Sequence, residues 1–171
     1  TEMQCQHNSN TIDNLLINKT TENPLTIVAI QDVLLLDKLE KTDLLSYCYT
    51  IKSRSASIDE LASLHSSDYV NMIVSAEKNH SNILNKFFNI QWNQTTLSDA
   101  RLSAGLTIDI VKNVLHNHLN AFILLTSSGH QALPNHGNGT SIYNNIALAI
   151  NVFLSDKIKS DKEKNSIQLT N

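Results

Sequence analysis

Apolar residues in this chain gather into a few blocks set apart by polar, asparagine-rich stretches. Residues 1–22 are polar apart from a short patch at 15–17 and predict a disordered or loop-rich lead-in. Asn23 before Pro24 makes an N-cap and N1 pair, and Leu25, Val28, Ile30, Val33, Leu34, Leu36 and Leu39 recur closely enough to predict a largely buried helix ending near Lys41. CYTIK at 48–52 predicts a short strand. Ser57 with Glu60 three residues on is a capping-box signature that opens a short helix through about Leu64. A second short helix follows Ser66, carrying Tyr69, Val70, Met72, Ile73 and Ala76. Residues 80–96 lack a period and predict a long surface loop, tucked down by Phe87, Phe88 and Trp92.

From Leu97 to about Leu119, the residues Leu102, Leu106, Ile110, Val114 and Leu115 fall on one helical face. AFILLT at 121–126 is a continuous apolar run, which predicts a strand buried on both faces. A helix is predicted over 142–154, followed by a charged, nearly aperiodic frayed tail. The expected organisation is therefore a lead-in over 1–22, one domain over 23–155 and a charged tail over 156–171. In parallel α/β sheets ligands gather at the carboxyl ends of strands. The SSGHQA loop at 127–132 leaves that end of the predicted strand and is where chemistry is expected.

Composition narrows the function classes. With 171 residues, 41% of them hydrophobic, the chain can form one domain with a moderate core. A net charge of −3 gives no basic footprint for direct nucleic-acid binding. No apolar run approaches the roughly 18 residues of a membrane span, and the first residues lack a signal-peptide profile. Cys5 and Cys48 are too few for a disulfide framework and lack metal spacing, so a reduced cytoplasmic or nuclear setting is expected.

The stretch LTSSGHQALPNHGNGTSIYNNIALAI at 125–150 resembles, without gaps, the class II histone deacetylase pattern R-P-P-G-H-H-A, seven variable residues, G-F-C, and an aromatic and asparagine run entering an Ala-rich helix. Gly129, His130, Ala132 and Gly139 match, as do Tyr143, Asn144, Ala147 and Ala149 at the helix entry. Upstream, TENPLTIVAIQDVL at 21–34 is similar to the family's H-P-E-x-P-x-R-I-x-A-I segment. DLLSYCYTIKSRSASIDELASLHSSDYV at 43–70 is similar to its L-L-x-R-C…A-x-x-x-E-L-x-x-x-H-x-x-x-Y-V segment, and RLSAGLTIDIVKNVL at 101–115 to the long helix before the buried strand. The resemblance covers roughly 23–154 and leans towards the class IIb, tubulin-deacetylase-like branch. It implies an α/β fold: a partial arginase/deacetylase-like three-layer arrangement, helix-rich with few parallel strands. A complete domain of this kind is about twice as long, since each crossover unit takes about 30 residues, so the chain is expected to be an N-terminal half.

Zinc amide hydrolysis needs a metal with an open water position, a general base and an oxyanion donor. The resemblance implies zinc held by two aspartates and a histidine beyond this loop, with the paired histidines handling protons. His130 takes the place of the first histidine of that pair, and is the one residue carried over as catalytic in type. The second place holds Gln131, whose amide cannot cycle a proton near neutral pH. Ser127 and Ser128 stand for the two prolines and Thr140 for the phenylalanine; Gly139 and Thr140 take pocket-wall, substrate-binding positions. HGNGT at 136–140 also resembles the family's metal motif D-x-H-H-G-N-G-T, but that alignment puts Leu133 and Asn135 on ligand positions, which supports no zinc site. No metal ligand is therefore expected in this chain.

Other candidates read more simply. His116 and His118, two apart, face different sides of a helix. His65 with Tyr69 reads as a packing feature, and Asp68, Asp99 and Asp109 as solvated helix positions. Ser127 and Ser128 beside His130 lack an orienting acid.

The first expectation is a truncated, catalytically inactive deacetylase-family protein. It would pair as a pseudo-enzyme or interaction module with a catalytic deacetylase domain or other complex subunits, and take acetylated protein tails if a pocket forms. The second is one half of an active zinc-dependent lysine deacetylase. The third is an unrelated helical binding domain.

Overall fold

The computed structural model describes residues 26–30, 37–38, 41–42, 48–51, 53–79 and 95–168. The elements are strands β1 (Thr26–Ile30) and β2 (Cys48–Thr50), helices α1 (Ile58–Ala62), α2 (Ser67–Asn79) and α3 (Thr96–Asn117), strand β3 (Asn120–Leu124) and helix α4 (Asn145–Gln168). The three strands form a parallel sheet in the order β2-β1-β3. Thr26 registers with Cys48 on one side and Asn120 on the other, and Ile30 with Leu124. The predicted lead-in over 1–22 and the loop residues 80–94 lie outside the described residues.

The sequence predicts a helix over 23–41, and the structure corrects it: TIVAI is the central strand. Four of its five residues are β-branched, and these lose χ1 freedom in a helix but pack well on a pleated surface. The run is apolar at nearly every position, so a helical period fits it as well as any other. Beyond β1, Asp37 and Lys38 are helical, and the Lys41 amide donates to the Asp37 carbonyl at 3.2 Å. The strand predicted from CYTIK is present as Cys48–Thr50.

α1 opens as its capping box dictates. The Glu60 amide donates to Ser57 Oγ at 3.1 Å, and the Ser57 amide to Glu60 Oε2 at 2.8 Å. The same Glu60 carboxylate accepts from both terminal nitrogens of Arg54 at 2.8 Å, while Arg54 Nε and Nη2 reach Asp109 on α3 at 2.8–3.1 Å. Asp109 is therefore half of a forked ion pair and not the solvated helix position that the sequence predicts. The Arg54 guanidinium, with help from the Ser57 amide, holds the Glu60 carboxyl down at about 2 against desolvation.

α3 is the spine of the core. One side packs Ala100, Ala104 and Ile108 against Leu61, Val70 and Ile73, and against Ile142, Leu148 and Ala149. The other side, through Leu106 and Ile110, meets Ile51, Ile123 and Leu125. Its buried hydroxyls are satisfied one turn back: Ser103 Oγ donates to the Asp99 carbonyl at 2.9 Å and Thr107 Oγ1 to the Ser103 carbonyl at 2.7 Å. Gly105 lets the extended 54–56 segment lie directly on the helix, where the Ala56 amide donates to the Arg101 carbonyl at 3.0 Å. A Cβ on Gly105 would sit 2.1 Å from the Arg54 carbonyl oxygen. His118, left-handed at φ 53, closes α3 with its amide on the Val114 carbonyl and turns the chain into β3.

Two further expectations are corrected. β3 is not buried on both faces: its first three residues are exposed, Phe122 at 52%, because among the described residues β1 is its one neighbour. An apolar run encodes a capacity for burial, and the covering layer must come from elsewhere. The tail predicted to fray after 155 is instead helical through Gln168. Residues 155–168 hold no glycine or proline to stop the helix and are rich in lysine, a good helix former. Asp156 also ties this segment to Lys112 of α3 at 2.7 Å.

Gly105→Ala gains about 1 kcal/mol of helix propensity but drives a methyl into backbone, an overpacking cost of about 3 kcal/mol. A net loss of about 2 kcal/mol is expected in chemical denaturation. Glu60 has its folded pKa depressed below 4.5, so its contribution is present above 4.5 and lost as pH falls through about 2. With Arg54 partly exposed and the pair screened, Glu60→Gln should cost about 1 kcal/mol at pH 7. Melting curves of the two proteins should converge as the pH approaches 2.

Candidate functional site

The chain from Leu125 to Asn144 leaves the carboxyl end of β3 and reaches α4 with almost no regular structure, so its backbone groups must find partners one by one. Two antiparallel bridges, Leu133 with His136 and Asn138 with Ser141, fold it on itself. In the second, the amides of Asn138 and Ser141 each donate to the other residue's carbonyl at 3.0 Å across a two-residue reversal. Gly139 takes the first central position at φ 56, as a Gly-X reversal requires. Gly129 is buried at φ 75, and a Cβ there would lie 1.9 Å from the Tyr143 carbonyl oxygen, so only glycine fits.

The floor of the loop comes from the α1–α2 corner. The Ser66 amide donates to the Pro134 carbonyl at 2.7 Å, and the Tyr69 hydroxyl to the Ile142 carbonyl at 2.7 Å. Between them His65 is 2% exposed, with its ring 5.7 Å from that of Tyr69 and 5.6 Å from that of Tyr143. The Asn144 amide donates to His65 Nε2 at 3.2 Å, and His65 Nδ1 lies 3.1 Å from the Leu133 carbonyl. Nε2 accepts, so Nδ1 carries the proton and the ring is neutral. Burial lowers the His65 pKa and outweighs the neighbouring carbonyls, while burial pushes the Tyr69 and Tyr143 phenols up, keeping both neutral.

Two asparagines complete the clamp. Asn145 Nδ2 donates to the Ser127 carbonyl at 2.7 Å and Asn144 Nδ2 to the Ala132 carbonyl at 3.2 Å. Asn144 Oδ1 accepts from the Ala147 amide at 3.3 Å, which makes Asn144 the N-cap of α4. The helix predicted to start at 142 therefore begins at Asn145 instead, with Asn144 as its cap. The signal was available, since asparagine before an apolar helical run is a strong cap.

The residues expected to carry chemistry lie on the opposite, outer side. His130, Gln131, Gly139 and Thr140 are all exposed. His130 Nδ1 is 2.9 Å from Ser128 Oγ. Gln131 folds over Gly139, whose Cβ, if present, would meet Gln131 Oε1 at 3.0 Å. Ser127 Oγ donates to the Thr140 carbonyl at 3.2 Å, so the 127–131 and 139–140 arms form one surface. His136 is exposed and engages Asn135 Oδ1 at 3.0 Å. His116 packs edge-on against Phe153 while His118 is the α3 cap, so the two do not converge.

Zinc, which the resemblance implies, does not fit the donors at hand. Among the described residues no three His, Cys, Asp or Glu side chains could hold a metal ion together. Leu133 and Asn135 offer no carboxylate or imidazole to accompany His136.

The model of the histone deacetylase domain matches residues 26–162. The chain is 30% identical over 119 residues to polyamine deacetylase HDAC10 of Homo sapiens, covering 67% of this chain and 18% of that protein. It is 28% identical over 117 residues to histone deacetylase clr3 of Schizosaccharomyces pombe, covering 64% and 17%. The crystal structure of the HDA15 HD domain superposes with a TM-score of 0.65 at 22% identity, covering 78% of this chain and 44% of that one. The fold is thus the arginase/deacetylase α/β fold, present in part, and the chain spans about a fifth of the curated relatives' length. The class IIb character of the loop agrees with the HDAC10 match. On the family model and the shared fold together, the chain belongs to the histone deacetylase domain family.

Proposed function

We propose that this chain is a histone deacetylase-family domain without deacetylase activity of its own, acting as a pseudo-enzyme or interaction module beside a catalytic deacetylase domain or other subunits of its complex. The observation that carries this reading is Gln131. It stands where the family resemblance expects the second histidine, in a loop whose clamps and tight glycine turns are all in place. Loss of a general base typically costs about 10²- to 10⁴-fold in rate. The family is generally zinc-dependent, and this stretch supplies no zinc donor set among its described residues. Thr140 in the phenylalanine position removes an aromatic wall, so any acetylated tail would be held weakly between Gly139, Thr140 and His130. The proposed setting is the cytoplasm or nucleus. Among the described residues no helix is long and apolar enough to cross a membrane.

A second reading makes this segment one wall of an active zinc-dependent lysine deacetylase completed by further chain. The edge of β3 left open among the described residues favours it, because a parallel sheet is normally covered and continued. Zinc content and turnover separate the two. Purified chain is expected to hold zinc far below one ion per molecule and to turn over neither an acetyl-lysine peptide nor an acetylated polyamine, the latter chosen because one relative is named for that activity. Stoichiometric zinc with turnover would refute the proposal.

The interaction role carries its own expectation. Among the described residues β3 presents an unpaired edge with Phe122 exposed, and Ile146, Ile150, Leu154 and Ile158 form an exposed i, i+4 ridge on α4. The isolated chain should sediment above monomer mass at micromolar concentration, and Phe122→Lys or Ile150→Glu should shift it towards monomer. A sharp, reversible melt of a monomer at low concentration, unaltered by either substitution, would count against it.

A further inference from the structure

Among the described residues, His65 is the one ionisable side chain that joins the α1–α2 corner to both arms of the loop. Its two ring nitrogens hold positions far apart in sequence: the Leu133 carbonyl in the middle of the loop and the Asn144 amide at the mouth of α4. Nε2 serves as an acceptor and must be unprotonated. A proton arriving from solvent on Nε2 would set an N–H against the Asn144 N–H, break that bond and leave an imidazolium in a space 2% open to water.

From this geometry we propose that His65 is an acid-released latch: protonation of its Nε2 breaks the Asn144 tie and loosens the 127–144 loop, with its His130 and Gln131 surface, on the α1–α2 corner while the helical core stays folded.

The surroundings offer the cation little. α2 contributes Tyr69, whose phenol is committed to the Ile142 carbonyl, and the loop contributes Tyr143. Glu77 of α2 and Arg101 of α3, the charged groups that act on Tyr143, are paired with one another at 2.9 Å. α4 places the uncharged Asn144 and Asn151 on this corner. The Leu133 and Pro134 carbonyls are the groups that favour the protonated ring, and burial overrides them. The sign follows from the lowered pKa: the latch is fully closed above about 6.5, the value of the free side chain, and is lost as the pH falls through the lowered folded value. The remaining ties, from Tyr69, Asn145 and Ser66, do not titrate in this range and keep the chain nearby, so release is local and reversible.

The test is amide hydrogen exchange of the whole chain between pH 7.5 and 5, corrected for intrinsic exchange, with the His65 ring nitrogens followed by NMR. Protection of the 129–144 amides is expected to fall about tenfold or more on acidification, while α3 amides keep theirs. His65→Gln can donate to Leu133 and accept from Asn144 without titrating, so its loop should stay protected across the range. A chain carrying His130→Asn and His136→Asn should keep the wild-type response. Loop protection that is independent of pH in the wild type, or a response that survives His65→Gln or vanishes with the other two histidines, would overturn the latch. Should His65→Gln fail to fold, the wild-type ring still decides. A proton on Nδ1 with a pKa below 6.5 supports the proposal, and a proton on Nε2 or titration at 6.5 or above overturns it.

Discussion

The carbonyls of Ser127, Ala132, Leu133, Pro134 and Ile142 turn into the protein, and each is met by a donor from another element: Asn145, Asn144, His65, the Ser66 amide and the Tyr69 hydroxyl. A loop this irregular gains no ladder of its own, and an unpaired buried carbonyl costs about 1–3 kcal/mol. Its shape is therefore fixed by groups on the α1–α2 corner, on α2 and at the start of α4, elements that pack on α3. The rings of His65, Tyr69 and Tyr143 pack together around the Tyr69–Ile142 bond, which is fully buried. Gly129 and Gly105 act in the same way at the backbone level, each permitting an approach that any side chain would block.

This arrangement separates what holds the loop from what the loop offers. Inward-facing residues carry the fold, and the side chains of His130, Gln131 and Thr140 are exposed on the outer side. The side chains of Gln131 and Thr140 can vary without emptying a core position or orphaning a buried group. The scaffold therefore does not depend on which side chains the outer surface carries.

Sequence made local signals legible and tertiary ones obscure. The Ser57–Glu60 box, the long α3 and the strand after it could be read because caps and periodicity are written within a few residues. β1 reads as helix because a nearly all-apolar run carries no period, and its β-branched content is the better guide. Arg54 and Asp109 are 55 positions apart, so no local pattern marks their pairing, and Asp109 reads as an ordinary surface carboxylate until α3 is laid beside the 54–56 segment. His65 could be flagged as a packing residue from its spacing to Tyr69, yet its two backbone partners lie 68 and 79 positions away. The candidate surface was legible as residue types, and its division into an inner and an outer side was not.

α4 shows the same limit from the other direction. Leu148, Ala149 and Val152 are buried against the core while Ile146, Ile150, Leu154 and Ile158 are exposed on its far side, so the helix is apolar nearly all round its first three turns. A helix of that character belongs between two layers, and β3, apolar with an open edge, belongs inside a wider sheet. Both surfaces exceed what the described residues can cover. The helix nevertheless persists to Gln168, because Asp156 is anchored to Lys112 and α3 lines its inner face. The described part is therefore complete along the α3 spine and incomplete at its flanks, and the loop bearing His130 and Gln131 runs between the two flanking elements.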